Sequence, residues 1–246
     1  MLWNNRKCFR SMAVAVLAVA VVTTLGLAQG QSALDDPLRT DADRERDAGS
    51  KPLELYEFFG VKPGMTVVDL MPGGGYNTHL LSLIVAGPAG SETSSGVQDH
   101  GQVLSGPDRR GGAAERVEAA GLTNVQVFTD FAEVRPSSVD VMVTVRNIHD
   151  LENRGNTGPV YASYLAALKP GGIFGVVDAR TPKEGFDDST HRINEQHVVD
   201  ALTAAGFELV ERSDMYANPD DDFDQSFRGS RWTIDRFALK FRKPMN

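Results

Sequence analysis

The chain has 246 residues, 41% hydrophobic and 24% charged, which is ordinary globular usage and enough for one α/β domain with a substantial core. Its formal charge of −8 and pI near 5.1 argue against a nucleic-acid backbone as the main partner. The one cysteine, Cys8, leaves everything after it without a disulfide, a thiol nucleophile or a thiolate metal site.

Residues 1–30 carry the pattern of an export signal. Arg6, Lys7 and Arg10 form a basic start, Ser11 to Val22 is apolar, and Ala28-Gln29-Gly30 offers small residues for cleavage. The apolar run is short for a membrane span, so cleavage without a stable anchor is expected; an uncleaved signal would hold the domain at a membrane. Arg6-Lys7 is not a twin arginine, which favours general secretion. Loss of the signal's three bases takes the formal charge from −8 to −11. The expected location is periplasmic or extracellular.

Residues 31–50 form a polar arm rich in Asp and Arg, read as a solvated linker or as an arm folded over a ligand cleft. Opposite charges from about Asp41 suit a helix. The remainder, 51–246, reads as one domain. Pro52 to Phe59 is amphipathic and stops at Gly60. Val61-Lys-Pro-Gly64 turns into a strand at Thr66 to Leu70. Pro72 and Gly73-Gly74-Gly75 follow, and then a helix from Tyr76 to about Val85. Glycine there permits close approach of backbone to a ligand, and the helix start offers N–H groups.

Ser91 to His100 has no apolar periodicity and reads as an inserted loop. A short strand, Gln102 to Ser105, precedes Asp108 and a helix through Ala113, Val117 and Ala120. Strands are expected at Val125–Phe128, Val139–Val145 and Ile173–Asp178, with a helix at Pro159–Leu168 and a turn at Lys169-Pro-Gly-Gly172. Asn194 caps a helix through Val198 and Leu202, ended by Gly206. Phe207 to Arg212 and Arg231 to Phe241 are the last strands, the latter with a phase slip near Asp235. Repeated β-α units imply a doubly wound, mostly parallel sheet of seven strands, and two final strands with no helix between them imply an antiparallel last strand.

Three marks coincide: Val67-Val-Asp-Leu-Met-Pro-Gly-Gly-Gly75, Asp130 after the third strand, and Leu168-Lys-Pro-Gly-Gly172 before the fifth. Together they resemble the class I S-adenosylmethionine-dependent methyltransferases, whose fold is Rossmann-like, over about Pro52 to Phe241. Arg39, Asp43, Arg46-Asp47, Asn147-Ile-His-Asp150, Thr190-His-Arg-Ile193 and Asn218-Pro219 further resemble a family of exported, predicted methyltransferases of unassigned substrate. The resemblance implies S-adenosylmethionine as cofactor and methyl transfer to a small molecule. It implies that Asp69, Gly73, Gly74 and Gly75 border the methionine part, that Asp130 faces the adenine, and that Asn147 faces the methyl end. The ribose acid of the family stands at the end of strand two; here that strand ends Ser105-Gly-Pro107, and Asp108, a residue late, is the nearest acid. A nicotinamide-binding enzyme fits less well, because the loop is Gly-Gly-Gly rather than Gly-x-Gly-x-x-Gly.

His149 and Asp150 end strand four, beside the expected methyl donor. His149 is read either as a base oriented by Asp150 or as a loop residue, with Asp150 as a helix cap. His191-Arg192 is a second candidate, closing the cleft from the strand-five side, or a solvated pair. His149, Asp150 and His191 lack a tight metal-ligand motif, so no metal is expected. Asp220-Asp-Asp222 lacks calcium-loop spacing and reads as a solvated acidic loop. The competing function is a non-catalytic exported module that keeps the fold and binds another ligand or partner. Oligomeric state is not legible.

Overall fold

The computed structural model describes residues 30–87, 101–226 and 233–245. The export signal through residue 29, the Ser91–His100 run and the start of the last predicted strand lie outside the described residues. Among the described residues, no helix is long and apolar enough to cross a membrane.

Seven strands form one sheet in the order β3-β2-β1-β4-β5-β9-β8. They are β1 (Thr66–Leu70), β2 (Gln102–Gly106), β3 (Val125–Val127), β4 (Val139–Val145), β5 (Leu168–Ala179), β8 (Glu208–Ser213) and β9 (Arg236–Arg242). The first five run parallel, and β9 is antiparallel to both β5 and β8. Val67, Val68 and Leu70 of β1 are all fully buried, as a central strand covered on both faces requires.

Alternate residues of the strands feed two cores. On one face Val67, Val103, Val141 and Val177 meet Tyr56 and Phe59 of α3 (Pro52–Phe59) and Leu80 and Leu81 of α4 (Tyr76–Ala86). On the other, Val68, Met142, Phe174 and Val176 meet α7 (Gly158–Ala167) and α8 (Glu195–Ala204) through Tyr161, Tyr164, Val198 and Leu202. Gly175 lets α3 rest directly on β5, since a Cβ there would sit 2.5 Å from the Phe59 ring. The chain winds one way through β1, β2 and β3 and the other way through β4 and β5. That reversal opens a crevice at the carboxyl ends of β1 and β4.

The structure departs from the sequence expectations in three places. Lys169-Pro-Gly-Gly172 belongs to β5 instead of forming a separate turn. Gly171 N–H donates to Lys243 O and Lys243 N–H to Gly172 O, while the Lys169 ammonium holds Asp140 at 2.7 Å. A short helix, α6 (Ile148–Arg154), starts directly after β4. A two-stranded hairpin, β6 (Phe186–Asp187) with β7 (Arg192–Ile193), is too short to leave a periodic signal.

The polar arm is ordered against the domain. Residues 30–34 are helical (α1), and α2 (Asp41–Ser50) follows. A capping box starts α2: the Thr40 hydroxyl accepts from Asp43 N–H at 3.2 Å, and the Asp43 carboxylate accepts from Thr40 N–H at 3.0 Å.

Candidate functional site

The glycine loop stands at the crevice. Gly73 (φ 59°) and Gly75 (φ 72°) are left-handed, which favours glycine. A Cβ built on Gly73 or Gly74 would meet nothing within 4 Å, so the loop faces open space. Beneath it Asp69 is 1% exposed. Its carboxylate accepts from the Thr78 hydroxyl at 2.6 Å, and that hydroxyl lies 2.8 Å from Ser105 Oγ. Burial pushes the Asp69 carboxyl up to about 6, against the opposing pull of the Thr78 hydrogen bond and the Arg46 charge. Asn147 ties the ends of β1 and β4 together, its amide donating to the carbonyls of Leu70, Met71 and Val145 at 3.1–3.4 Å.

The two remaining candidate cofactor acids have local duties. Asp108 is buried and caps α5 (Gly112–Ala119), accepting from Ala113 N–H and Ala114 N–H at 3.0 Å each. The carboxylate is therefore turned to a helix start. Asp130 is exposed at the end of β3, where one oxygen accepts from Ala132 N–H at 2.9 Å and caps a 3-10 turn, Phe131–Glu133. Phe131 stacks edge-on with Tyr164 at 4.7 Å between ring centres.

The arm closes one side of the crevice. Arg116 of α5 donates to both oxygens of Asp43 at 2.7 and 3.1 Å and to the Gly74 carbonyl at 2.7 Å. Burial opposes the Asp43 charge, but the hydrogen bonds from Arg116 and Thr40 outweigh it and hold the carboxyl below its usual range. Asp47 accepts from Arg39 in a fork at 2.5 and 2.9 Å and from the Tyr76 hydroxyl at 2.6 Å. The Arg46 guanidinium lies 3.9 Å above the Tyr76 ring. Arg46 also lines a small cavity with Arg146, Arg236, Asn77 and Tyr216 beside the end of β4. Arg116 and Tyr76 carry this docking and were not singled out from the sequence, since their partners lie 73 and 29 positions away.

A second cluster stands above β4 and β5. Asp178, fully buried at the end of β5, accepts from His149 Nδ1 at 2.9 Å, from His149 N–H at 3.1 Å and from Ala179 N–H at 2.8 Å. A carboxylate only accepts, so Nδ1 carries a proton, and the ring is turned with Nε2 away from Asp178. Asp178, absent from the sequence candidates, is thus the residue that orients His149. Asp150 Oδ1 lies farther off, 3.7 Å from Nε2. His191 arrives from the β6–β7 hairpin, its ring centre 5.7 Å from that of His149 and its backbone left-handed at φ 53°. Arg192 does not share the cleft. It is fully buried and forked onto Asp221 at 2.7 and 3.0 Å. The acidic loop is therefore not wholly solvated: burial opposes the Asp221 charge, while the bonds from Arg192 and backbone amides keep the carboxyl below its usual range.

No family model matches the chain, and no curated protein matches it in sequence. Solved structures do match. An S-adenosylmethionine-dependent methyltransferase from Aquifex aeolicus superposes with a TM-score of 0.59 at 20% identity, covering 85% of this chain and 94% of that one. The cyclase SpnF gives 0.57 at 17% identity, covering 83% and 82%. An arsenic(III) S-adenosylmethionine methyltransferase from Chlamydomonas reinhardtii gives 0.54 at 16% identity, covering 88% and 73%. What they share with this chain is the fold. It is the Rossmann-like methyltransferase fold, with its antiparallel last strand.

Proposed function

We propose that this protein transfers a methyl group from S-adenosylmethionine to a small molecule, and that it does so outside the cytoplasm. The observation that carries the reading is the open cradle at Gly73 and Gly74, set at the switch point of a methyltransferase fold above a buried carboxylate. Backbone there approaches a ligand with no side chain in the way. The methionine part would lie over Gly73, Gly74 and Gly75, with Asp69 beneath and Asn147 at the methyl end. The adenine would lie beside Asp130 and Phe131. The cofactor supplies an electrophilic methyl, and the chain's part is to hold the acceptor in line with it. His149, with Asp150 and His191, is the proposed acceptor-side group. The N-terminal export pattern supports the location.

One observation favours a second reading, a non-catalytic module with the same fold. Asp108 holds the start of α5 with one carboxylate oxygen, Oδ2, and its Oδ1 accepts from Arg110 N–H at 3.4 Å, so the acid nearest the end of strand two is engaged by the helix rather than left open for ribose hydroxyls. The likeness to a cyclase is a reminder that this fold carries other functions.

Titration calorimetry of the full chain with S-adenosylmethionine and with its demethylated product decides between them. Methyl transfer requires both to bind. No heat and no thermal shift at about 1 mM ligand would leave the second reading standing.

A further inference from the structure

We propose that His149, Asp150 and His191 form a binding site for one divalent transition-metal ion. The inference stands whether or not the protein transfers methyl groups. One ligand atom from each of the three lies within 4.8 Å of the other two. Around a metal with bonds of about 2.0–2.2 Å, such atoms sit roughly 3–3.5 Å apart. The His149–Asp150 pair, at 3.7 Å, is already close to that spacing.

The orientation of His149 is the independent observation. The Nδ1–H donates to Asp178, which turns Nε2 toward the Asp150 carboxylate. A buried carboxylate on the far nitrogen of a histidine is the arrangement that fixes the ring of a metal ligand and raises its donor strength. Asp178 is positioned by the backbone of β5 and by two backbone N–H groups, so the His149 ring is fixed before any ligand arrives.

The other two ligands complete the site from different elements. Asp150 lies in the first turn of α6 and is 43% exposed at its side chain, so it is free to swing by about 1–2 Å, which brings ligand atoms 4.8 Å apart onto one ion. His191 is half-buried, on a loop anchored by the buried Arg192–Asp221 pair. Two imidazoles and one carboxylate suit zinc, iron(II), cobalt(II) or manganese(II) better than calcium or magnesium. Three protein ligands leave coordination positions for water or for an oxygen of a second ligand, at the same edge of the sheet as the glycine loop.

The test uses the untagged full chain, stripped with chelator and titrated with Zn²⁺ by calorimetry and with Co²⁺ by visible absorption. The expected result is one equivalent bound. His191→Ala and Asp150→Ala, both at partly exposed positions, are each expected to weaken binding by at least about tenfold while keeping the wild-type circular dichroism. Asp178→Asn is expected to weaken it as well, through the lost orientation of His149. No stoichiometric uptake by the wild type would overturn the site, as would uptake that neither His191→Ala nor Asp150→Ala reduces.

Discussion

Arg116 donates to both carboxylate oxygens of Asp43 and, with its Nε, to the carbonyl of Gly74. One side chain thus couples the N-terminal arm to the glycine loop. The two ion-pair side chains are 19% and 7% exposed, so the pair lies between the surface and buried limits. Arg116→Ala is expected to cost about 1–3 kcal/mol of stability in urea unfolding. It should also speed proteolysis within residues 35–50 more than elsewhere. Proteolysis spread evenly over the chain would show that the arm is not held by this contact.

Asp69 gives the pH dependence a defined sign. Its carboxyl stands near 6 in the folded chain, because burial disfavours the charge, against 3.8 as the ordinary value. The native state therefore binds more protons than the unfolded one between those values. Stability from this group is fully present below the unfolded value and is lost as pH rises through about 6. Asp69→Asn keeps an acceptor for the Thr78 hydroxyl and removes the buried charge. It is expected to be more stable than wild type by about 1–3 kcal/mol at pH 7.5. The gap should close near pH 4, as followed by denaturation at both pH values. A pH-independent difference would place the effect in packing instead.

Much of the crevice is legible in the amino-acid sequence alone. The valines of β1 and the glycines after them announce a buried strand turning sharply into a helix, and that local chemistry needs no distant partner. The His149 and His191 positions were also visible, as loop ends above the sheet. What stayed hidden is pairing over distance. Asp178 reads as the last residue of a strand until His149, 29 positions earlier, is seen to close on it. Asp108 reads as a ligand acid until the turn before α5 brings two backbone N–H groups onto it. Asp221 reads as solvated in a run of acids, because nothing local marks Arg192 as its partner. The arm was readable as linker or lid alike, since the choice depends on Arg116.

Gly74 separates cofactor binding from folding. Its backbone is not left-handed, and a Cβ there meets nothing within 4 Å. Gly74→Leu is expected to change stability by under about 1 kcal/mol, since the new side chain projects into solvent. It should weaken S-adenosylmethionine binding by more than about tenfold, since the same space is where the proposed cofactor lies. Calorimetry on the variant, beside a urea melt, gives both numbers. Unchanged affinity would move the cofactor away from this loop.

The buried Arg192–Asp221 pair carries the largest expected cost. Asp221→Ala leaves a fully buried guanidinium without its carboxylate, a change of about 3–5 kcal/mol for an ion pair of this kind. Arg192 also donates to the Arg180 and Gln225 carbonyls, which anchor the hairpin after β5. Arg192→Met with Asp221→Leu removes both charges together and fills similar volume. It is expected to recover most of the loss, because the penalty lies in the orphaned charge rather than in the missing attraction. Urea unfolding of the single and double variants measures this directly. A double variant as unstable as Asp221→Ala would show instead that the hydrogen bonds of Arg192 to the two carbonyls hold the hairpin.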